Sequence, residues 1–354
     1  MIQVPAIEYV NVRIKSYRSQ LLTRDIYEDL LGSDNLGALT TFLLEKPLYR
    51  QDIEHALEGS SEREGLERGV KDHFVQCISN IFHMSHGKTR RLFEIALTSF
   101  DLRNLRALIL AHIRKLPFHR AREMFIPCGL LTEDTLSDML AASDIEEMLQ
   151  LLSLACPYGA DAVRKALNER TENESLVKLI NRLERNVYRH ILKNLDNADD
   201  DTLILRTLYL FEIDLKNIKT ALKYVSEGVK PGQQILEDFI PGGNIGIQFF
   251  DEMSRSSGLD EALEMIESTQ FSKAVEKGII YFAETGFFHE MERFFEEVFI
   301  LKAWSYRRHD PFGIGIFVGY VWSQFVELTN LRTIINGIAF RTGAGQIRKG
   351  LIYV

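Results

Sequence analysis

This 354-residue sequence is short of the residues that staple or interrupt a chain: it has 3 cysteines, 8 prolines and 2 tryptophans. Cys77, Cys128 and Cys156 show no CxxC spacing and cannot all pair, which suits structural thiols in a reducing compartment. A basic surplus is missing as well. The net charge is −8 with the signs interspersed, whereas a general nucleic-acid binder carries excess Lys and Arg, so no nucleic-acid partner is expected. Long hydrophobic runs are also absent. The longest uncharged stretch, Pro311 to Val326, holds 16 residues including three glycines. A membrane-spanning helix needs about 20 apolar residues, so no span is expected. The start, MIQVPAIEYVNVRIK, lacks the basic opening and continuous apolar core of a signal peptide. A cytoplasmic location is the expectation.

What is present is 45% hydrophobic residue content, enough to bury cores, with apolar side chains recurring mostly at steps of three and four. Leu, Ile, Glu, Lys, Arg and Ala abound, so the expected fold class is all-α, without a large sheet.

The organising signal is a repeated phrase: DLRNLRALIL at 101, DLKNIKTALK at 214 and ELTNLRTIIN at 327. Asn104, Asn217 and Asn330 are spaced by 113 residues each time, and EYVNVR at 8 is a fourth copy. Each copy joins an acid, an asparagine and a base: Glu8/Asn11/Arg13, Asp101/Asn104/Arg106, Asp214/Asn217/Lys219 and Glu327/Asn330/Arg332. On a helix the apolar pairs Tyr9/Val12, Leu102/Leu105, Leu215/Ile218 and Leu328/Leu331 share one face, expected to be core. The acid and the asparagine lie on an adjacent stripe, placed to bond each other or a neighbouring helix end. In the plain reading each asparagine caps or bridges helices beside a solvated base. Displayed in three related domains, the same side chains would instead recur around one axis.

Other phrases recur between these anchors. LLTRDIYEDLLGSDNLGALTTFL at 21 aligns without a gap on LLTEDTLSDMLAASDIEEMLQLL at 130. FIPCG at 125 returns as FIPGG at 239, followed by DEMSRSSGLDEALEMI; LERGVKDHF at 66 returns as LERNVYRHI at 183 and, more distantly, as MERFFEEVF at 291. Each unit reads as an anchor helix, a Gly/Pro-containing connection, two short helices and two long ones. Thr23 and Thr132 stand at cap positions with Asp25 and Asp134 in the first turn, Pro47/Tyr49 and Pro157/Tyr158 open a short helix, and Pro231, Gly232, Pro241, Gly242 and Gly243 punctuate the third unit. A period this long exceeds a solenoid repeat and indicates duplicated domains, expected at 1–112, 113–225 and 226–354.

Catalytic signatures are not evident. His86-Gly87-Lys88-Thr89 imitates the end of a P-loop, but Phe82 occupies the leading glycine position and the flanks look helical, so a helix-helix turn is expected. Gly343-Ala344-Gly345 lacks the strand and third glycine of a dinucleotide fingerprint and reads as a loop before a last helix. His83 and His86 have no obvious third metal ligand. No cofactor and no metal are expected.

Taken together, Tyr9 to Arg13 leading to Leu21-Leu22-Thr23, Asp101 to Leu108, Asp214 to Leu222, Pro311-Phe312-Gly313, Gly319-Tyr320-Val321 and Glu327 to Arg332 resemble the C subunit of the archaeal and bacterial A/V-type rotary ATPases, a relative of the eukaryotic d subunit. Trp322 and Ser323 stand where relatives commonly have a charged helix. The resemblance covers the whole chain. It implies a non-catalytic, all-helical funnel of three similar domains with pseudo-threefold symmetry, joining the central shaft (D- and F-type subunits) to the membrane rotor ring as a torque-passing socket. Asn11, Arg13, Asn104, Arg106, Asn217, Lys219, Asn330 and Arg332 are then the candidate interface residues, with the bases bracing the central opening. Two rival readings are a free-standing helical scaffold for soluble partners and an enzyme using His83, His86 and Glu94.

Overall fold

The structure is a computed structural model that describes residues 7–169, 176–195, 199–228, 237–273, 276, 278 and 289–354. Among these residues the architecture is all-α, with no strand. The helices in chain order are α1 (Ile7–Arg18), α2 (Arg24–Leu31), α3 (Leu36–Glu45), α4 (Pro47–Leu57), α5 (Glu62–His83), α6 (Gly87–Arg114), α7 (Phe118–Glu123), α8 (Glu133–Leu140) and α9 (Ile145–Ala155). They continue as α10 (Pro157–Asn168), α11 (Leu176–Asn194), α12 (Asp200–Ser226), α13 (Ile247–Ser254), α14 (Leu259–Glu267), α15 (His289–His309), α16 (Ile314–Ala339) and α17 (Ala344–Gly350). No described helix is long and apolar enough to cross a membrane.

The repeat is visible in the helix boundaries. α2 and α3 begin 109 residues before α8 and α9, and α13 and α14 begin 114 residues after α8 and α9. Side-chain caps explain several starts: Asn35 accepts from Ala38 N before α3, Asp144 from Glu147 N before α9, and Asp199 from Thr202 N before α12. Thr23 has the extended backbone of a cap, but its hydroxyl makes no cap bond. Instead of two short helices per unit, the first two units each have three. Lys46 and Cys156 turn the chain into extended backbone, and Pro47 and Pro157, which lack the N–H a continuing helix needs, restart it as α4 and α10. Pro231 and Gly232 lie outside the described residues. The turn between α5 and α6 is Met84–His86, so of the P-loop-like phrase only His86 lies in the turn and Gly87, Lys88 and Thr89 open α6; likewise Gly343 caps α17, which already contains Ala344 and Gly345.

The chain forms two compact units, one of Met1–Asn104, His119–Thr132 and Trp304–Val354, the other of Leu105–Phe118 and Glu133–Ala303. The core of the first is α16, whose residues Ile314–Leu328 are buried on every side, while Thr329, Arg332, Thr333 and Asn336 further along are half-buried. It packs on α1, α2, α3, α5 and α17. Phe100 of α6 stacks on Trp322 at 5.1 Å, and Phe74 of α5 meets Phe325 edge-on at 6.2 Å. In the second unit α10 packs on α9 and α11, and α12 on α11, α13 and α14. Tyr188 and Tyr209 cross at 6.1 Å, and Phe211 meets Phe271 at 4.7 Å.

One polar pair braces the first unit's helices. His73 of α5 is buried, with Nδ1 3.0 Å from Asp52 Oδ2 on α4 and its ring 4.1 Å from the Tyr49 ring. Burial works against its charge, but Asp52 and Cys77 together outweigh that and raise the imidazole to about 9. A raised histidine stabilises fully below its unfolded value near 6.5, and that stabilisation is lost as the pH climbs to about 9. The amount is on the order of 3 kcal/mol. Urea unfolding at pH 6 and pH 9 is expected to show the loss in the wild-type protein and a much flatter response in His73→Gln. Equal slopes in both proteins would refute this assignment.

Candidate functional site

The repeated asparagines are buried, and three of them make the same structure. On α6, Asn104 Nδ2 donates to the Ile126 carbonyl at 2.8 Å while Ile126 N donates to Asn104 Oδ1 at 2.7 Å. On α12, Asn217 pairs both arms with the backbone of Ile240 at 2.8 and 2.9 Å. On α16, Asn330 does so with Ile352, again at 2.8 and 2.9 Å. Each amide thus satisfies one N–H and one C=O of an irregular segment that crosses the helix, groups that are costly to bury unpaired.

The acid one turn earlier holds the chain a few residues further on. Asp101 accepts from Leu130 N and Leu131 N, both at 3.0 Å. Asp214 accepts from Ile245 N at 2.9 Å and from the Asn244 side chain at 3.1 Å. In both cases the capped residue is five beyond the isoleucine, and two before it stands the glycine of FIPCG or FIPGG. A Cβ at Gly129 or Gly243 would strike the carboxylate of Asp101 or Asp214, so the glycines are there for close approach.

The third copy completes itself differently. Glu327 accepts from Leu22 N and from Tyr49 Oη, both at 2.5 Å. Leu22 occupies the place in its Leu-Leu-Thr phrase that Leu131 holds in the second. The last anchor therefore holds the first unit's chain, across 305 residues of sequence. Gln20 stands where the glycine was, and the carboxylate arm is one methylene longer. Burial raises Glu327 above the usual carboxylate range, against the Tyr49 and Leu22 hydrogen bonds and the His73 charge. Asp214 is likewise raised by burial, against the Ile245 and Asn244 bonds.

The fourth copy is incomplete. Asn11 Nδ2 donates to Phe312 O at 2.6 Å and Gly313 O at 3.0 Å, but its buried Oδ1 has no partner. Leu102, Leu105, Leu215, Ile218, Leu328 and Leu331 are core, as expected, whereas Tyr9 and Val12 are 55% and 65% exposed. Among the described residues α1 packs mainly against α16 and α5, and it buries the stripe Val10, Asn11 and Ile14 while the neighbouring stripe faces solvent.

The four bases occupy unlike surroundings. Arg13 is exposed, its guanidinium 5.8 Å from the Tyr17 ring. Arg106 pairs with Glu184 through Nε at 3.2 Å and Nη2 at 3.3 Å and lines a cavity of about 360 Å³ with Thr220 and Tyr224. Arg332 lines a groove of about 560 Å³ with Phe325, Thr329 and Phe340, and Lys219 is half-buried on α12. Glu184, buried on α11, is a residue that the sequence reading misses; burial would raise it, but Lys216 and Arg106 hold it below the ordinary range. Its signal is the LERG/LERN phrase, which repeats this glutamate. The residues of the enzyme reading are engaged locally, His83 with Ser79 O at 2.7 Å and Glu94 with Arg90 at 3.3 Å.

Residues 10–350 match the family model described as the ATP synthase (C/AC39) subunit. The chain belongs to that family. It is similar to the C subunit of the A-type ATP synthase of Methanocaldococcus jannaschii, 22% identical over 352 residues that cover 97% of this chain and 86% of the relative. It is also similar to the C subunit of the A-type enzyme of Methanosphaera stadtmanae, at 22% over 92% of this chain and 82% of that one. With the C subunit of a V-type ATP synthase of Thermus thermophilus the identity is 24%, over 97% of this chain and 98% of the relative. The resemblance to the C subunit of A/V-type ATPases therefore holds over nearly the full length.

The bonding pattern ranks substitutions. Asn217→Ala and Asn330→Ala each strand a buried N–H and C=O and are expected to cost about 2–4 kcal/mol, while Asn11→Ala, which leaves two carbonyls and no N–H, costs about 1. Gly243→Ala overpacks against Asp214 by roughly 1–3 kcal/mol, whereas Gln20→Ala is close to neutral. Thermal or urea unfolding of the purified variants measures the order; an Asn11→Ala loss as large as that of Asn330→Ala contradicts it.

Proposed function

We propose that the chain is the non-catalytic socket of an A/V-type rotary ATPase, seated on the cytoplasmic side between the central shaft (D- and F-type subunits) and the membrane rotor ring. In this reading three similar helical domains, 1–112, 113–225 and 226–354, surround a common pseudo-threefold axis and pass torque by shape and stiffness, in support of ion transport coupled to ATP synthesis or hydrolysis. The observation that carries it is the full-length match to a family of ATP synthase subunits, joined to a polar clasp repeated at 113-residue intervals. A torque-bearing part needs packed helices that do not slip, and side chains bonded to fixed backbone groups oppose slipping. Arg13, Arg106, Lys219 and Arg332 lie one helical half-turn past the clasps, so under this symmetry they recur around the axis and offer positive charge to the polar loops of shaft or ring.

Arg13 and Arg332 are the suitable pair to probe, because reversing Arg106 would set a second carboxylate against the buried Glu184, with Lys216 left to balance both. The wild-type chain, co-expressed with D- and F-type subunits and mixed with detergent-solubilised rotor ring, is expected to elute with both. Arg13→Glu combined with Arg332→Glu should weaken that association at least tenfold while the melting temperature stays within a few degrees. Unchanged assembly removes the arginines from the interface. Failure of the wild-type chain to bind either partner overturns the socket itself.

A further inference from the structure

Beside the Glu327 clasp, on the side of α16 that faces α15, lies a cavity of about 340 Å³ whose wall contains Arg18, Arg24 and Arg307. Its wall also contains Glu327 and the terminal residue Val354, but its arginines form no ion pair among the described residues. Among the described residues no carboxylate is within ion-pair distance of Arg18, Arg24, Arg307 or the adjacent Arg308. The nearby acids are engaged elsewhere: Glu28, which feels Arg24, bonds Arg348 and the Tyr353 hydroxyl, and Glu327 bonds Leu22 N and Tyr49. By contrast, Arg106 is paired with Glu184 and Arg255 with Asp251.

The best placed of the three is Arg307. Its guanidinium lies 3.9 Å from the centroid of the Trp304 ring, one turn earlier on α15, which orients it without using its N–H groups. Its Nε is buried and has no hydrogen-bond partner. A buried unpartnered donor normally signals a missing acceptor. Burial, together with the like charges of Arg18 and Arg308, depresses its proton affinity, so this gathering of cations is unfavourable as it stands. Arg24 sits 4.8 Å over the Tyr353 ring on another wall, so the cavity presents cations backed by aromatic rings.

The geometry points to an anion-binding site for a small, multiply charged phosphate group, held by the forked donors of Arg307 with Arg18 and Arg24 closing around it. Phosphate suits the donor set because guanidinium forks match its oxygens in pairs, and a cavity of this size accepts a pyrophosphate group with room beside it. A bound anion supplies the acceptor that Arg307 Nε lacks and offsets the repulsion among the arginines. The inference concerns a ligand of this chain alone and stands whether or not the chain acts as a socket.

The probe is inorganic pyrophosphate, titrated calorimetrically into the full-length chain at constant ionic strength set with chloride. Expected is one saturable site, weakened at least tenfold in Arg307→Gln and in Arg18→Gln and unchanged in Arg255→Gln, whose side chain belongs to a surface ion pair with Asp251 in the other compact unit. Arg18 and Arg24 are exposed on the rim, so if Arg307→Gln fails to fold, Arg18→Gln and Arg24→Gln carry the test. A parallel titration with ADP separates the sources: tighter binding than pyrophosphate assigns a nucleotide, equal or weaker binding a free phosphate anion. No saturable binding by the wild-type chain, or binding that survives in the pocket variants, overturns the site.

Discussion

An asparagine side chain carries one acceptor and two donors at the spacing of a peptide group, so it can pair with both polar atoms of a single backbone residue. Asn104, Asn217 and Asn330 use that complementarity to fasten Ile126, Ile240 and Ile352 to the long helices α6, α12 and α16. The fastened segments are irregular and cannot satisfy their own N–H and C=O groups through helical bonds. Burying them against a helix is tolerable only where a side chain offers both partners at once. A serine or threonine is too short to span the two atoms, and an aspartate would set a carboxylate against a carbonyl.

The acid beside each asparagine adds direction. Asp101 and Asp214 are short, and they reach Leu131 N and Ile245 N only because Gly129 and Gly243 let the backbone come close. Glu327 meets Leu22 N past a glutamine and uses its extra methylene to do so. Acid length and glycine thus vary together, which is why a glutamate is tolerated in one copy of a motif that otherwise has aspartate. The charges differ in consequence. Glu184 is buried but flanked by Lys216 and Arg106 and stays ionised, whereas Glu327, held mainly by a neutral hydroxyl and an amide, is pushed toward its protonated form.

The helical class and the tandem phrases were legible because they are local: apolar spacing marks helices, and the equal 113-residue steps need no structure to be seen. The capping turns at Asn35, Asp144 and Asp199 follow from the same short-range rules. What the asparagines bind was only half legible. FIPCG and FIPGG were visible as repeats, but nothing in a linear reading matches them with Leu351-Ile352-Tyr353, whose backbone does the same work without the glycine. The exposure of Tyr9 and Val12 was not legible either, because it depends on how few helices contact α1. Arg18, Arg24 and Arg307 come from three separate segments and carry no shared pattern at all.

Joining the last anchor to the first unit bears on stiffness. Helices held by apolar contact alone can slide, since the hydrophobic effect has no preferred direction. A hydrogen bond loses strength steeply with angle, so the paired bonds of Asn104, Asn217 and Asn330, with those that the neighbouring acids accept, fix the register of each crossing segment against its helix. The Glu327–Leu22 link applies this across residues that are distant in sequence, so α16 and the segment leading into α2 resist shear as one piece. For a part proposed to carry torque, directional bonds repeated at equal intervals are a more suitable material than a larger apolar core. They raise the resistance to slipping without enlarging the surface that must be kept from water.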